Sequence, residues 1–341
     1  MAKVDVSELD IFYISYDEPN AEEHWADLLN KVPWAKRVHG VKGFDAAHKA
    51  CANQSETERF ITVDGDNIVM DDFFEQELDF PETDHDGNDI AESIFSWNGK
   101  NILNGLVYGN GGLKCWPTEY TKTISTHEAA TDGEGMEFCW KLNYIQLNDT
   151  FSEVHQTASP FQAFRAGFRE GVKMSLDQGK RVKPLEFRNK IWYGNYNRLQ
   201  TWCNIGSDVD NGMWAIYGAR LGCQMAVLSD WDVNLISDYE WFKHFFYKDI
   251  APNFNGVKPF GNTIDMKCPY TKLEWDNTLL HEEVCRLGNE LNEEINEMML
   301  FDPNEKMCKF FKTTYVNPKR WGVMIREKQI QDMLEKGLIG K

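Results

Sequence analysis

The sequence predicts an α/β protein with a mostly parallel sheet flanked by helices, followed by a largely helical C-terminal region. Two apolar runs, "LDIFYI" at 9–14 and "FITV" at 60–63, have the composition of strands. The second is β-branched or aromatic throughout, as in strands buried on both faces. Between these two runs, apolar residues recur at the spacing of an α-helix. The order strand, helix, short element, helix, strand within about 65 residues is typical of parallel strands with crossover connections.

The N-terminal elements follow one another closely. The first strand belongs to "LDIFYISYDEPN" and ends in an acidic, proline-bearing turn. "AEEHWADLLNKV" then has helical spacing, with acids in its first turn where the helix dipole favours them. A loop with Gly40 and Gly43 leads to a second helical segment, "FDAAHKACA". The strand at 60–63 ends at Asp64-Gly65-Asp66.

The rest of the chain alternates loops, short strands and helices. Residues 79–92 are polar and acidic, which indicates a loop, and 93–117 alternate strand-like pieces with glycine turns. Ser159–Leu176 is predicted as a helix with Ser159 as N-cap before Pro160. Further helices are predicted at 208–221, 238–248 and 278–300. A domain boundary is placed near residue 200, which divides the chain into 1–200 and 201–341.

Composition limits the class of protein. The chain has 341 residues, 42% of them hydrophobic, so it can bury a sizeable core. It has neither a signal-peptide h-region nor an uncharged apolar run near 18 residues, and we expect a soluble, cytoplasmic protein without membrane contact. Its eight cysteines contain no CxxC pair, which argues against a zinc ribbon or a disulfide framework. We expect them to be reduced packing residues.

The charge is unevenly distributed. The net charge of −18 disfavours a nucleic-acid binder, because phosphate contacts need Lys and Arg. However, residues 151–200 carry nine Lys/Arg against four Asp/Glu, and residues 301–341 carry nine against five. Such asymmetry is compatible with a basic groove on an acidic body, and equally with ordinary solvated helix faces.

The aspartate pair is the first candidate site. In open α/β sheets ligands bind at the carboxyl ends of the strands, and Asp64 and Asp66 within one turn can share a hard divalent cation, Mn²⁺ or Mg²⁺. The alternative is a structural turn in which an aspartate caps the following element.

The order of these elements also resembles a known family. A strand, Gly43, "AAHKA" (46–50), an apolar strand and the DxD motif resemble the nucleotide-sugar-binding half of GT-A glycosyltransferases. His48 and Lys49 stand where those enzymes have Arg-Asn. The stretches "DEPNAE", "VDGDN", "GNGGLK", "QAFRAGFREGVKM" and "NGMWAIYGARLG" resemble glycosyltransferases of large tailed phages. Some of those decorate hydroxylated cytosines in phage DNA, including arabinosyltransferases; the likeness spans roughly residues 9–225.

The resemblance implies a GT-A-like fold in which residues 1–200 bind the nucleotide sugar and catalyse transfer, and 201–341 complete the acceptor side. It implies that the turn after the first strand receives uracil and ribose. It also implies that Asp66 ligates the metal, that Asp64 holds the ribose or the metal's water, and that His155 is a late metal ligand. The full set of expected donor residues is Tyr16, Asp17, Glu18, Gly43, His48, Lys49, Asp64, Gly65, Asp66 and Asn67.

In the resembling enzymes an acidic base precedes the late ligand by some twenty residues. Asp132 is the first candidate here and Glu134 the second, with His127-Glu128 as a competing pair. An inverting enzyme needs such a carboxylate to take the proton of the acceptor hydroxyl. The alternative is that these acids are simply solvated in a glycine-rich loop.

Acceptor contacts are expected from two segments. "YGNGGLKCW" has glycines that allow close backbone approach, and tryptophans could stack on a sugar or a flipped base. A cationic stripe on the 159–176 helix could face a phosphate. The residues are Trp97, Asn110, Gly111, Gly112, Lys114, Trp116, Arg165 and Arg169. The alternatives are a glycine-rich hairpin with core tryptophans and a solvated charged face.

Together these observations favour a metal-dependent glycosyltransferase. The donor is expected to be a UDP-sugar, with arabinose favoured and glucose possible, and the acceptor the hydroxyl of a modified cytosine in phage DNA, without an obligate protein partner. The alternatives are a glycosyltransferase for a surface glycan or protein, a nucleotidyltransferase, and a non-catalytic nucleotide-sugar-binding protein. A nucleotidyltransferase would usually carry a Gly-rich phosphate loop near the N-terminus, which this sequence lacks.

Overall fold

The computed structural model describes residues 3–83, 87, 89–109, 112–126, 142–255, 275–306 and 308. The chain divides into two compact units, Met1–Gln156 and Thr157–Lys341. The boundary predicted near residue 200 falls inside a helix of the second unit, Tyr193–Asn204.

The first unit contains strands and three helices in its described part. The strands are β1 (Val4–Asp5), β2 (Asp10–Ser15), β3 (Lys36–His39), β4 (Arg59–Asp64), β5 (Asn67–Val69), β6 (Glu77–Leu78), β7 (Ile94–Asn101), β8 (Val107–Tyr108), β9 (Leu113–Pro117) and β10 (Tyr144–Val154). The helices are α1 (Ala21–Lys31), α2 (Phe44–Gln54) and the short α3 (Thr118–Thr121).

The main sheet is mixed. Its strand order is β3-β2-β4-β9-β7-β10-β5, and β8 pairs with β7. The pairs β3–β2, β2–β4 and β7–β10 are parallel, whereas β4–β9, β9–β7, β10–β5 and β7–β8 are antiparallel. The α/β prediction is therefore confirmed, but the sheet is not mostly parallel. Part of the reason is local, because residues 102–106 form a short connection between β7 and β8, and strands joined by a short turn pair antiparallel.

The two faces of the central strands bury different residues. Ile11 and Tyr13 of β2 pack with Leu28 of α1 on one face. Phe12 of β2 packs with Cys51 of α2 on the other. Because side chains alternate along a strand, α1 and α2 cover opposite faces of the sheet. This arrangement confirms that the apolar run at 60–63 is a strand buried on both faces.

Helices dominate the described part of the second unit. They are α4 (Pro160–Met174), α5 (Phe187–Lys190), α6 (Tyr193–Asn204), α7 (Gly212–Leu228), α8 (Tyr239–Phe245) and α9 (Asn277–Glu294). The predicted cap of α4 is confirmed, since Ser159 Oγ accepts a hydrogen bond from Gln162 N at 3.1 Å and Pro160 opens the helix. No helix in the described part of the chain is both long and apolar enough to cross a membrane.

Helices α4 and α7 approach each other through glycines. A Cβ at Gly167 or Gly171 of α4 would collide with the Ala215 or Ala219 carbonyl of α7. Glycines of α7 are placed in the same way against the α4 backbone. The spacing of four residues between the glycines therefore allows backbone-to-backbone packing that larger side chains would prevent.

Candidate active site

Three carboxylates lie near one another where β2 and β4 end. The parallel register places Ile14 beside Asp64 at the carboxyl ends of both strands. In the turn after β2, Glu18 Oε2 accepts a hydrogen bond from Tyr16 N at 2.7 Å. A Cβ added to Gly65 would lie 2.8 Å from the same Glu18 oxygen. A side chain at position 65 would therefore have to displace the Glu18 carboxylate, which packs against this glycine.

The Asp64 carboxyl is electrostatically unfavourable in its ionised form. Burial, together with the negative charges of Asp66 and Glu18, raises the pKa of Asp64 to about 6, although Lys114 opposes the shift. The Lys114 Nζ lies 3.8 Å from Asp64 Oδ2, and its side chain is only 5% exposed. A bound cation would offset the repulsion among the carboxylates.

Two side-chain amides orient the Asp66 carboxylate. Asn67 Nδ2 donates to Asp66 Oδ1 and Gln156 Nε2 donates to Asp66 Oδ2, each at 2.8 Å. Asn101 Nδ2 in turn donates to Gln156 Oε1 at 3.2 Å. Each carboxylate oxygen accepts one of these hydrogen bonds, so each retains a lone pair that can bind a cation. The carboxylate is thus held in one orientation without being saturated.

The backbone of the DxD turn is supported from behind. The Gly65 carbonyl accepts a hydrogen bond from Tyr13 Oη at 2.8 Å and from His24 Nδ1 at 3.2 Å. Asn20 Nδ2 lies 3.3 Å from His24 Nε2 and donates to the His155 carbonyl at 2.9 Å. These partners require the His24 tautomer that carries its proton on Nδ1.

His24 is held in its neutral form. Burial lowers the pKa of His24, and the nearby His155 ring, at 5.2 Å centroid to centroid, lowers it further. A neutral ring keeps Nε2 available as an acceptor for the Asn20 amide.

The predicted metal set is only partly assembled. Within the described residues, the ligand atoms of Asp64, Asp66 and His155 do not all lie within 4.8 Å of one another, and neither do those of Glu18, Asp64 and Asp66. His155 Nε2 instead lies 3.4 Å from Glu153 Oε2. The carboxylate oxygens nevertheless suit Mg²⁺ or Mn²⁺, since Mg²⁺ is commonly held by one or two carboxylates together with substrate phosphates and water. The residues present therefore fit a cation that arrives with a diphosphate.

The predicted donor residues outside the DxD turn lie in the turn after β2 and at the start of α2, where His48 is buried. Tyr16 is half-buried and Asp17 is exposed in the turn after β2. Gly43 adopts a φ of 105° as it opens α2, and Lys49 is half-buried on that helix. The His48 ring packs against Phe44 and Trp116, with centroids 4.1 and 4.4 Å away. This environment favours a packing role for His48 over the expected diphosphate contact.

The two tryptophans expected to stack on an acceptor are core residues. Trp116 is fully buried and its Nε1 donates to Thr62 Oγ1 at 2.8 Å. Trp97 is 2% exposed and packs against Phe73 at 4.9 Å between centroids. Both lie on inner strands of the sheet, covered on the face to which they point, so neither presents a ring to a ligand.

Gly112 and Lys114, which were expected to contact an acceptor, lie beside the DxD turn. A Cβ at Gly112 would collide with the Asn67 amide, so this glycine makes room for the side chain that orients Asp66. Antiparallel pairing of β4 with β9 brings Lys114 opposite Thr62, two residues before Asp64.

The cationic stripe of α4 packs within the second unit. The Arg165 guanidinium lies over the Tyr239 ring at 4.9 Å and the Phe242 ring at 5.6 Å. Arg169 donates to the Ile236 carbonyl. Aromatic rings and a carbonyl therefore engage these side chains, and the expected anion contact stays a prediction.

Other candidates lie outside the described residues. They are Asn110, Gly111, the expected bases Asp132 and Glu134, and the competing pair His127 and Glu128. Conversely, the sequence analysis missed Tyr13, Asn20, His24 and Gln156. Gln156 carried no local signal, because only the antiparallel pairing of β5 with β10 brings it to Asp66.

Comparison of the chain with protein-family models, curated proteins and solved structures finds no match.

Proposed function

We propose that this protein is a metal-dependent glycosyltransferase with a GT-A-like nucleotide-sugar site in its first unit. The observation that carries the proposal is the grouping of Glu18, Asp64 and Asp66 near the carboxyl ends of two parallel strands, close enough for the charges of Glu18 and Asp66 to raise the pKa of Asp64. Ligands bind at this edge in α/β sheets. An isolated group of three carboxylates is costly, whereas a divalent cation bound to a diphosphate would satisfy it.

The donor is a UDP-sugar in this proposal. Asp66, oriented by Asn67 and Gln156, ligates Mn²⁺ or Mg²⁺, and Asp64 assists beside Lys114. The cation supplies charge neutralisation for the departing diphosphate. The half-buried Tyr16 offers a ring for the uracil, and the exposed Asp17 a carboxylate for its N–H donor.

The acceptor we propose is a hydroxylated cytosine in DNA, which receives arabinose or glucose. The bond from the anomeric carbon to the UDP oxygen breaks, a bond to the acceptor oxygen forms, and the hydroxyl proton passes to a carboxylate base. Exposed basic and aromatic residues support a nucleic-acid partner. Trp192 is 62% and Tyr193 43% exposed, and exposed lysines lie at 180, 183 and 190. Aromatic faces beside lysines suit stacked bases and phosphates.

A first experiment tests the donor half. UDP release is measured over a panel of UDP-sugars, with and without Mn²⁺, for the wild-type protein, Asp66→Asn, and Asp72→Asn as an exposed control to which the proposal gives no role. We expect Mn²⁺-dependent UDP release that Asp66→Asn abolishes and Asp72→Asn largely retains. Absence of turnover with every donor would leave a binding protein, and pyrophosphate release from nucleotides would indicate a nucleotidyltransferase.

A second experiment tests the acceptor. Sugar transfer is measured to hydroxymethylcytosine-containing duplex, the same strand unpaired, and unmodified DNA. We expect transfer to the modified DNA only. Trp192→Ala should weaken DNA binding without changing donor hydrolysis, whereas Trp34→Ala, another exposed tryptophan, should change neither. Donor turnover that no DNA stimulates would exclude a DNA acceptor and favour a glycan or protein acceptor.

A further inference from the structure

A second cluster of metal-binding side chains lies in the second unit. His281 and Cys285 are four residues apart on α9, and a helix places such residues on one face. Asp302 follows in the segment after this helix. The ligand atoms of these three residues all lie within 4.8 Å of one another. They take no part in the proposed donor site, which lies in the other unit.

The three ligand atoms converge on one side of the His281 ring. His281 Nε2 lies 2.8 Å from Asp302 Oδ1 and 3.6 Å from Cys285 Sγ. Zinc bonds of about 2.0 Å to N or O and about 2.3 Å to S put tetrahedral ligand atoms roughly 3.3–3.5 Å apart. The N–S distance already fits, and the N–O distance has to open by roughly half an ångström.

The backbone on both sides of the cluster is held independently of these side chains. The buried Arg220 donates to the Val284 carbonyl at 2.5 Å and to the Phe301 carbonyl at 2.6 Å. These residues directly precede Cys285 and Asp302. Arg220 thus clamps together the two segments that carry the ligands, and ligand atoms held this way need little reorganisation to bind a metal.

We propose that His281, Cys285 and Asp302 form a zinc site with water as fourth ligand, which fastens α9 to the segment that follows it. Imidazole and thiolate ligands suit Zn²⁺, whereas Mg²⁺ and Mn²⁺ prefer oxygen donors. The thiolate and carboxylate charges balance Zn²⁺, so the nearby Arg220 cation faces a neutral complex. The His281 and Asp302 side chains are 31% and 38% exposed, which leaves a path for the metal.

The alternative is a simple ion pair between His281 and Asp302, next to an unrelated thiol. A salt bridge of this exposure contributes little to stability and has no need of Cys285. The two possibilities therefore predict different roles for the cysteine.

The test uses the full-length, tag-free protein and zinc alone. Zinc content after purification and affinity in chelator competition are measured for the wild-type protein, His281→Gln, Cys285→Ser and Asp302→Asn. Matched controls are His244→Gln, an exposed histidine of α8, and Cys308→Ser, a buried thiol 3.4 Å from the Asp302 carbonyl. Circular dichroism verifies that each variant is folded.

We expect one zinc per chain in the wild-type protein and both controls. Removing a residue that only orients a metal ligand typically lowers metal affinity by roughly 10–100-fold. Each variant of a ligand itself should lower zinc affinity by more than that. Co²⁺ in place of zinc should give a thiolate charge-transfer band that Cys285→Ser removes. No zinc binding by the folded wild-type protein, or affinity unchanged in Cys285→Ser, would overturn the proposal.

Discussion

Replacing Asp64 by Asn should stabilise the metal-free protein while destroying its metal response. The ionised Asp64 carboxylate lies against Asp66 and Glu18, and burial and repulsion raise its pKa from 3.8 to about 6. At about 1.4 kcal/mol per pKa unit, the shift corresponds to roughly 3 kcal/mol. Water reaches 40% of the side chain and screens the interaction, so we expect about 1 kcal/mol.

The sign of this effect depends on pH. The pKa of Asp64 is higher in the folded than in the unfolded protein, so the folded state favours the protonated carboxyl. The resulting contribution to the free energy of unfolding is fully present below pH 3.8 and is lost as the pH rises through 6. Asparagine resembles the protonated carboxyl at every pH. The variant should therefore equal the wild-type protein near pH 4 and exceed its stability at pH 8.

The assay is thermal and denaturant unfolding with EDTA at both pH values, repeated with Mn²⁺ and UDP. At pH 8 the transition of the first unit should rise by about 2–4 °C in Asp64→Asn. Mn²⁺ with UDP should raise the wild-type transition and leave the variant unchanged. Asp72→Asn, an exposed aspartate of the first unit to which the proposal gives no role, serves as the control. A variant less stable than the wild type at pH 8 would refute the proposed repulsion, and an undiminished Mn²⁺ response would refute the role of Asp64 at the metal.

Three further substitutions test other parts of the structure. Gln156→Ala removes one of the two amides on Asp66 and should weaken Mn²⁺ activation by about 10–100-fold, measured as the Mn²⁺ concentration for half-maximal UDP release. Gly112→Ala should cost about 1–3 kcal/mol, because its methyl group collides with Asn67; the double variant with Asn67→Ala should recover stability in urea unfolding, and no recovery would contradict the contact. Gly167→Ala should destabilise the second unit by at least a similar amount, since α7 backbone fills the space; an unchanged thermal transition would show that the helices separate easily.

The sequence was sufficient to predict those structural features that depend only on residues close together in the chain. The apolar composition of β4 predicted a strand buried on both faces, and Ser159 before Pro160 predicted the start of α4. The DxD turn was correctly placed at a strand end. In each case the physical signal lies within a few residues of chain.

The sheet direction and the partners of the site were decided by tertiary structure. Whether 94–117 would pair parallel or antiparallel depended on which strands it joins, and β9 entered beside β4 with reversed direction. That pairing made Lys114 a partner of Asp64 and buried Trp116, although both had been expected to contact an acceptor.

The sequence by itself determined that a carboxylate pair would end a buried strand of an α/β sheet, since strand propensity and turn chemistry are local. Only the tertiary structure determined what surrounds that pair. Gln156 reaches Asp66, and His24 reaches the Gly65 carbonyl, across long separations along the chain. Residue type and spacing carry no record of such contacts, because sheet register and helix packing create them.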